Sequence, residues 1–403
     1  MSDKASAATR AGRYVMQVTG YRAFVPKPLP PDPPLRLDFE LASLLSDAST
    51  SLGRLDSASQ LLPNSDLFVA MYVHKEAVLS SQIEGTQASL VDVLAFEADA
   101  AEPENPQDVE EVVNYVAALN HGLKRLETLP LSLRLIREIH SRLMKGVRGA
   151  EKHPGEFRTS QNWIGRPGSA ITTAAFIPPA PADMQQALSN IERFLHSQER
   201  IPPLIKIGLA HAQFETTHPF LDGNGRMGRL LITFYLCQQR ILHQPLLYLS
   251  HYFRQNQQEY YDRLQHIRDA GEWEEWIAFF LNGVLAVAEE AAATAHAIMQ
   301  LRETHRTLVA TGLGRNAGKG AQLLEYLYER PITTVNLIAE RLDVTYATAN
   351  GLVSRFKALG ILSAMDQRER GRRFIYADYL ALFTDDIPTA ADGEAGPADL
   401  THS

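Results

Sequence analysis

The residues between His218 and Arg229 combine the side chains that chemistry on a phosphate requires. His218 can accept a proton near neutral pH, and Asp222 is an oxygen ligand of the kind that Mg²⁺ prefers. Arg226 and Arg229 are three residues apart, so they share one face of a helix, where two guanidinium groups suit a polyphosphate. A base, a metal ligand and two arginines in one short segment predict a site of phosphoryl or nucleotidyl transfer.

The backbone of this segment is suited to bind an anion. Gly223 and Gly225 let the chain pass close to a ligand, and Asn224 can donate hydrogen bonds. The segment joins an apolar helix that ends near Thr217 to another that begins near Gly225, and the free N–H groups at a helix start bind phosphate. The alternative is a glycine-rich turn with arginines on a solvated face. It would account for a glycine pair but not for this whole combination.

The same segment resembles the signature of the Fic family, His-x-Phe-x-Asp/Glu-Gly-Asn-Gly-Arg-x-x-Arg, at every specified position. The resemblance implies a mainly α fold, with a helical-bundle core and a short β-hairpin flap. It also implies transfer of AMP from ATP to a Ser, Thr or Tyr hydroxyl of a target protein. Phosphate transfer and removal of AMP at the same loop stay open as variants.

The resemblance assigns a role to each residue of the segment. His218 would be the general base, Asp222 would hold Mg²⁺, Arg226 would contact the leaving phosphates and Arg229 the γ-phosphate. Phe220 would pack the loop into the core. The remaining positions assigned to nucleotide binding are Gly223, Asn224, Gly225, Met227 and Gly228.

Upstream, Ser80-Ser81-Gln82-Ile83-Glu84-Gly85 resembles the inhibitory pattern of the family, Ser/Thr-x-x-x-Glu-Gly/Asn. The resemblance implies that Glu84 pairs with Arg229, blocks the γ-phosphate and leaves ATP in a non-productive pose. Ser80 and Gly85 would complete this regulatory helix, with Gly85 as its stop. The enzyme would therefore be autoinhibited and able to modify itself.

Residues 155–158 and 161–165 resemble the stretch that precedes the flap in the family. Residues 171–179 are expected to form the flap, a short hairpin whose edge could hold a target segment by strand addition. An ordinary surface hairpin would explain the pattern equally well.

Asn256, Tyr260 and Tyr261 are candidates for the nucleoside pocket, although aromatic residues at helical spacing are more often core.

The C-terminal pattern predicts a winged helix-turn-helix. Helices are expected at 321–328, 335–342 and 346–359, and a hairpin at 361–376 carries Arg368, Arg370, Arg372 and Arg373. The third helix would enter a major groove while the basic wing contacts phosphates. DNA contact and protein docking are left open with equal weight. The alternative function is therefore a DNA-binding transcriptional regulator with a nucleotide-sensing Fic-like domain.

The pattern of helices and breaks divides the chain into six segments. They are an extended N-terminal segment (1–36), a helical region with the inhibitory helix (37–105), the Fic catalytic domain (106–300), a linker (301–320), the winged helix-turn-helix (321–382) and a disordered tail (383–403).

Composition limits the class of protein further. The net charge of -8 argues against a generic nucleic-acid binder. Cys237 is the single cysteine, which fits a reducing compartment. The N-terminus lacks the apolar core of a signal peptide, and the most apolar stretch, 276–288, is shorter than the ~20 residues that span a bilayer. We therefore expect a cytoplasmic protein without membrane contact, and the resemblance adds a homodimer.

Overall fold

The computed structural model describes residues 9–61, 65–98, 103–147, 149, 151–166, 168–365 and 371–384. The chain is mainly helical and forms two compact units. The first comprises residues 1–57, 79–86 and 110–291, and the second comprises residues 58–78, 87–109 and 292–403.

The helices and strands follow one another along the chain as listed here. They are β1 (Gly12–Met16), β2 (Arg22–Pro26), α1 (Phe39–Leu61), α2 (Ser65–Ile83), α3 (Leu90–Glu97), α4 (Pro106–Leu126), α5 (Leu133–Leu143), α6 (Pro181–Leu195), α7 (Pro203–Thr217), α8 (Asn224–Gln238), α9 (Ser250–Gln255), α10 (Gln257–Ala270), α11 (Trp273–Gly312), α12 (Ala317–Glu329), β3 (Ile332–Thr334), α13 (Val335–Leu342), α14 (Tyr346–Ala358), β4 (Ser363–Ala364), β5 (Arg373–Ile375) and α15 (Ala377–Leu380).

Helices α7 and α8 form the centre of the first unit. α7 is buried on all sides because it packs against α6, α8 and α10. Gly208 lets α11 approach α7 closely, and Trp276 donates its Nε1–H to the Gly208 carbonyl oxygen at 2.9 Å. The loop between α7 and α8 is thus mounted on two well-packed helices.

The N-terminal segment contains a hairpin, so the expectation of an extended segment over residues 1–36 is wrong for its central part. β1 and β2 pair antiparallel, with Gly12 opposite Pro26 and Met16 opposite Arg22. The hairpin is stable because Phe24 is buried against the first unit, at 1% exposure. Residues 1–8 lie outside the described part of the chain.

The expected flap is not a regular hairpin. Ile171–Thr173 is a single 3₁₀ turn, and one antiparallel bridge between Ile164 and Phe176 closes the loop. The Ile177 carbonyl oxygen accepts the Phe24 N–H of β2 at 3.0 Å. Within the described residues 168–177, a target segment therefore finds no continuous strand edge to join.

The second unit places its C-terminal helices and strands close to the predicted positions. α13 coincides with the predicted second helix, and α12 and α14 with the first and third within a few residues. The sheet has the order β3-β5-β4, and β3 is a strand that was not predicted. Assignment to the winged helix-turn-helix class stays a prediction. Arg368, Arg370 and residues 385–403 of the predicted tail lie outside the described residues.

The segment predicted as a linker, residues 301–320, is helical. α11 continues to Gly312, a 3₁₀ turn covers Gly314–Asn316, and α12 begins at Ala317. Alanine, leucine and arginine have high helix propensity, and only the glycines at the end of α11 interrupt the helix.

Among the described residues, α11 alone is long and apolar enough to span a bilayer, a test that core helices of soluble proteins also pass. Trp276, Ile277 and Phe280 on this helix are fully buried in the first unit.

Cys237 on α8 is half-buried, and burial raises the pKa of its thiol to about 12, so the thiol stays protonated.

Candidate functional site

His218 lies directly after the last residue of α7. Its backbone is left-handed, with φ 47° and ψ 61°, and its N–H donates to the Phe214 carbonyl oxygen at 2.9 Å. This conformation is unusual for a residue with a side chain and is kept only where neighbours enforce it. The helix end therefore turns sharply and presents the imidazole at the start of the loop.

Arg158 and Asn162 enforce this turn. Arg158 is buried and donates to the carbonyl oxygens of His218 at 2.9 Å and Pro179 at 2.6 Å. Asn162 donates to the carbonyl oxygens of His218 at 3.2 Å and Phe220 at 2.9 Å. Burial lowers the pKa of Arg158 to about 10, which leaves the guanidinium charged at neutral pH. The stretch before the flap thus acts as a clamp on the catalytic loop.

The loop is closed from inside by Asn224 and Phe220. The Asn224 side chain accepts the Phe220 N–H at 2.8 Å and donates to the Phe220 carbonyl oxygen at 2.9 Å. Both ends of the amide are used within the loop, so any contact of Asn224 with an anion would come from its backbone N–H. Phe220 is fully buried and stacks on His140 with centroids 3.6 Å apart, in the packing role predicted for it.

The N-terminus of α8 is the segment predicted to bind the anion. Gly223 precedes it in a left-handed conformation with φ 72°, which glycine adopts without strain. A Cβ at Gly225 would clash with Glu84 Oε1, so the carboxylate lies against the bare backbone of the helix start. A carboxylate therefore occupies the place where N–H groups and the helix dipole favour phosphate.

Glu84 and Ser80 hold Arg229. The Arg229 Nη2 donates to Glu84 Oε1 at 2.7 Å and to the Ser80 carbonyl oxygen at 2.9 Å, while Nε donates to Ser80 Oγ at 2.8 Å. Gly85 ends α2 with φ 102° and open space around it, as predicted for a helix stop. Burial alone would lower the pKa of Arg229, but the Glu84 carboxylate raises it above its ordinary value.

The His218 ring is neutral at physiological pH. Its pKa is lowered to about 4, chiefly by burial and also by Arg158 and Arg268, against the opposing effects of Glu84 and the Glu215 backbone. Nδ1 is buried, which leaves Nε2 as the nitrogen that can accept a proton. A neutral imidazole is the form that a general base requires.

Glu215 is a buried carboxyl one turn before His218. Its Oε1 lies against Gly228, where a Cβ would clash with it, and has no hydrogen-bond partner among the described residues. Its pKa is raised to about 7, chiefly by burial, with Arg229 opposing the rise and Glu84 adding to it. The carboxyl therefore titrates near neutral pH beside the guanidinium that Glu84 holds.

Asp222 is half-buried at the middle of the loop. Its Oδ1 accepts the Gly223 N–H at 2.7 Å, and its Oδ2 accepts a hydrogen bond from Lys152 Nζ at 2.9 Å. Burial pushes the pKa of Asp222 up, but Lys152, Gly223 and Arg226 outweigh it and hold the pKa below its usual value. One ionised carboxylate beside a phosphate cradle fits the way Mg²⁺ is bound with nucleotides.

Arg226 is engaged by a buried carboxylate in this structure, and the phosphate contact assigned to it stays a prediction. Its Nη1 donates to Glu111 Oε2 at 3.0 Å, and both side chains are almost fully buried, at 3% and 2% exposure. Its Nη2 lies 3.9 Å from Asp222 Oδ1. Arg226 therefore braces the loop from behind.

Several predicted nucleotide contacts belong to the core. The Met227 side chain is fully buried, Gly228 packs against Glu215, and the Tyr260 hydroxyl bonds to His211 at 3.0 Å in a buried aromatic cluster. Asn256 donates to the Tyr252 carbonyl oxygen at 2.9 Å. Only Tyr261, at 45% exposure, keeps an accessible ring beside Glu84 and Arg229.

Residues that the sequence reading missed are Glu111, Lys152 and Glu215. Each contacts the signature segment from elsewhere in the fold or from the preceding turn of α7, and none belongs to a recognisable local motif. A buried charge without a partner is unfavourable, so a buried Arg226 implies a carboxylate partner elsewhere in the chain. This was the one indication that the sequence offered.

Comparison with known proteins places these residues in a family. Residues 42–124 match the Fic/DOC family N-terminal domain, and residues 130–236 match the Fic/DOC family. The Protein adenylyltransferase Fic of Drosophila erecta is 34% identical over 109 residues, which is 27% of this chain and 20% of that protein. That of Aedes aegypti is 31% identical over 154 residues, which is 38% of this chain and 27% of that protein. The chain thus spans about a quarter or less of the length of these relatives.

The fold agrees with this assignment. A solved Fic family protein from Desulfovibrio desulfuricans G20 superposes with a TM-score of 0.58 at 20% identity, over 85% of this chain and 97% of that one. Residues 42–124 and 130–236 therefore match the two domains of the Fic/DOC family.

Proposed function

We propose that this protein transfers AMP from ATP to a Ser, Thr or Tyr hydroxyl of a target protein, and that Glu84 inhibits the transfer. The observation that carries the proposal is the Glu84 carboxylate on Arg229, 2.7 Å from its Nη2 and against Gly225 at the start of α8. A side chain there holds the place of a phosphate beside a neutral histidine. The adenylyltransferase names of the relatives support the same activity.

The chemistry assigned to the chain is a displacement at phosphorus. The target hydroxyl oxygen bonds to the α-phosphorus, the bond from that phosphorus to the bridging oxygen breaks, and pyrophosphate leaves. The hydroxyl proton passes to Nε2 of His218. The N–H groups at the start of α8 stabilise the charge that develops on the phosphate oxygens, which is where most of such catalysis resides.

Asp222 is the residue that would hold Mg²⁺. When bound, the metal would neutralise phosphate charge beside the helix start. The chain's own contribution is to keep this carboxylate ionised and fixed, through the Gly223 N–H at 2.7 Å.

Inhibition by Glu84 follows from competition for one guanidinium. A carboxylate and a phosphate both engage Arg229 through charge-assisted hydrogen bonds, so one excludes the other. Glu84 is tethered on α2, and its effective concentration at Arg229 is high. ATP binding without full displacement of Glu84 would leave the α-phosphate out of line with His218.

The test uses ATP labelled on the α-phosphate, with Mg²⁺ and a cell lysate as a source of targets. Wild type, Glu84→Gly and Glu84→Gly/His218→Ala are compared, with γ-labelled ATP in parallel. We expect α-label on protein that rises in Glu84→Gly and is lost without His218. Incorporation of γ-label instead would replace AMP transfer by phosphate transfer.

A second candidate function is DNA binding through the second unit. Helix α14 carries no carboxylate, its Tyr346 is 55% exposed, and Arg372 donates to Asn350 Oδ1 on the helix at 2.7 Å. A helix face free of acids and flanked by arginine suits a phosphate backbone. Retention of the full chain on duplex DNA should fall steeply with salt and weaken in Arg372→Ala. Salt-independent retention would not be phosphate-driven.

We extend the proposal to a homodimer and to a cytoplasmic location. The dimer rests on the family resemblance, and the location rests on a lone cysteine that stays protonated. Analytical ultracentrifugation across a range of concentrations tests the first, and fractionation of the source cells tests the second.

A further inference from the structure

Lys152 is a cation at the catalytic loop to which neither the signature nor the family match assigns a role. Its Nζ donates to Asp222 Oδ2 at 2.9 Å, and its side chain is 42% exposed. The other oxygen of Asp222 accepts the Gly223 N–H at 2.7 Å. One carboxylate thus links the Lys152 ammonium to the N-terminal end of α8, where phosphate is expected.

Arg226 is the cation that would otherwise serve the phosphates, and it is committed elsewhere. Moving its guanidinium into the cradle would break a buried ion pair with Glu111, which is strongly unfavourable. Lys152 faces no such obstacle, because it is exposed, flexible and bound to a single carboxylate oxygen. Of the two cations near Asp222, only Lys152 can leave the carboxylate for a phosphate at low energetic cost.

A metal ion and Lys152 compete for the same carboxylate. Mg²⁺ bound to Asp222 would repel an ammonium that stayed on that oxygen, and a polyphosphate beside it would attract the ammonium. We propose that Lys152 is a phosphate-binding residue. It would neutralise Asp222 in the ligand-free enzyme and contact the polyphosphate of a nucleoside triphosphate in the complex with metal. This assignment rests on the proposed function.

Nucleotide binding tests the contact directly. Glu84→Gly serves as the parent, and Lys152→Ala, Lys152→Arg and Lys145→Ala are added to it. Lys145 is an exposed lysine two residues after the end of α5. The dissociation constants of ATP with Mg²⁺ and of adenosine are measured by calorimetry.

We expect Lys152→Ala to weaken ATP binding about tenfold or more, the usual effect of losing a charge-assisted hydrogen bond. Adenosine binding should not change, Lys152→Arg should lie between, and Lys145→Ala should match the parent. Equal weakening of ATP and adenosine would mean that Lys152 merely supports the loop. Unchanged ATP binding would mean that it does not contact phosphate. Either result overturns the assignment.

Metal binding tests the exchange of partners. Without nucleotide, Mn²⁺ titrated under electron paramagnetic resonance should bind Lys152→Ala more tightly than its parent, because the competing ammonium is gone. Unchanged or weaker binding would contradict the exchange.

A parent that binds ATP but transfers no AMP would reject the proposed function and leave the phosphate contact standing. If the parent transfers AMP and Lys152→Ala binds ATP as tightly as the parent, only the assignment of Lys152 is rejected. If the parent does not bind ATP, both the assignment and the proposed function are rejected.

Discussion

Glu84 Oε1 and Arg229 Nη2 lie 2.7 Å apart, across 145 residues of sequence, at the start of α8. Glu84 is one-third exposed while Arg229 is buried, so the carboxylate can leave and the guanidinium cannot. A pair with one mobile member is suited to a contact that a ligand has to break. The regulatory step thus consists of withdrawing a single side chain.

Replacing Glu84 by glycine should raise the initial rate of AMP transfer about tenfold or more, because that corresponds to relief of at least 1.4 kcal/mol of competition. The same change should lower the ligand-free stability by about 2 kcal/mol, since the buried Arg229 loses a charged partner. Glu84→Gln is the control and should fall between. Rates that stay at the wild-type level in both variants would remove the inhibitory role.

Replacing Arg158 by lysine should lower kcat about a hundredfold while the KM for ATP changes little. Lysine keeps the charge but cannot reach the carbonyl oxygens of His218 and Pro179 together, so the catalytic turn loosens without loss of the phosphate cradle. Steady-state kinetics in the Glu84→Gly background measures both constants. A rise in KM with kcat intact would place Arg158 in nucleotide binding instead.

Glu111→Gln should destabilise the protein by about 3–5 kcal/mol, because it removes the buried counter-charge that bonds directly to the Arg226 guanidinium. Urea unfolding of the variant against wild type gives this difference. Glu110→Gln is a matched control one residue away, where the side chain is exposed. Equal midpoints for Glu111→Gln and Glu110→Gln would show that the buried pair does not stabilise the loop.

We expect the rate of AMP transfer to be insensitive to mildly acidic pH. The neutral imidazole of His218 accepts the proton, so the rate falls as pH drops through its pKa, which burial lowers to about 4. The profile of kcat/KM for Glu84→Gly should therefore stay flat down to about pH 5, whereas an ordinary histidine would bend it near pH 6.5. A bend at pH 6.5 that disappears on substituting another histidine would point to a different base.

Stability should depend on Glu215 in the opposite direction. Its pKa in the folded protein is raised to about 7, so the folded state binds an extra proton above the ordinary value of about 4.5. The free energy of unfolding should fall as pH rises from 4.5 through 7. Glu215→Gln cannot ionise and should exceed wild type by about 3 kcal/mol at pH 8, with little difference at pH 5. Parallel curves for the two proteins would contradict a buried, titrating carboxyl.

Sequence predicted the parts of the site that are local. The α7–loop–α8 segment carries its own helix ends and glycines, and the Glu84–Arg229 contact implied by the resemblance is present. The partners of Asp222 and Arg226 were not predictable in this way, because Lys152 and Glu111 meet them only after the chain has folded.

Two errors in the fold have a physical reason. The prolines after residue 25 indicate an extended chain, but the alternation before them and the Thr19-Gly20 turn form the β1–β2 hairpin. Tyr260 was assigned to the nucleoside pocket although spacing cannot separate a pocket from a core, and the structure buries it.

Intact-mass spectrometry of Glu84→Gly and Glu84→Gly/His218→Ala, each incubated with ATP and Mg²⁺, tests the central claim most directly. The account predicts that Glu84→Gly gains the mass of one or more AMP groups, and that the double variant gains none. Wild type should gain little. If Glu84→Gly keeps its mass while a target protein added with it also stays unmodified, AMP transfer held back by Glu84 is not what this site does.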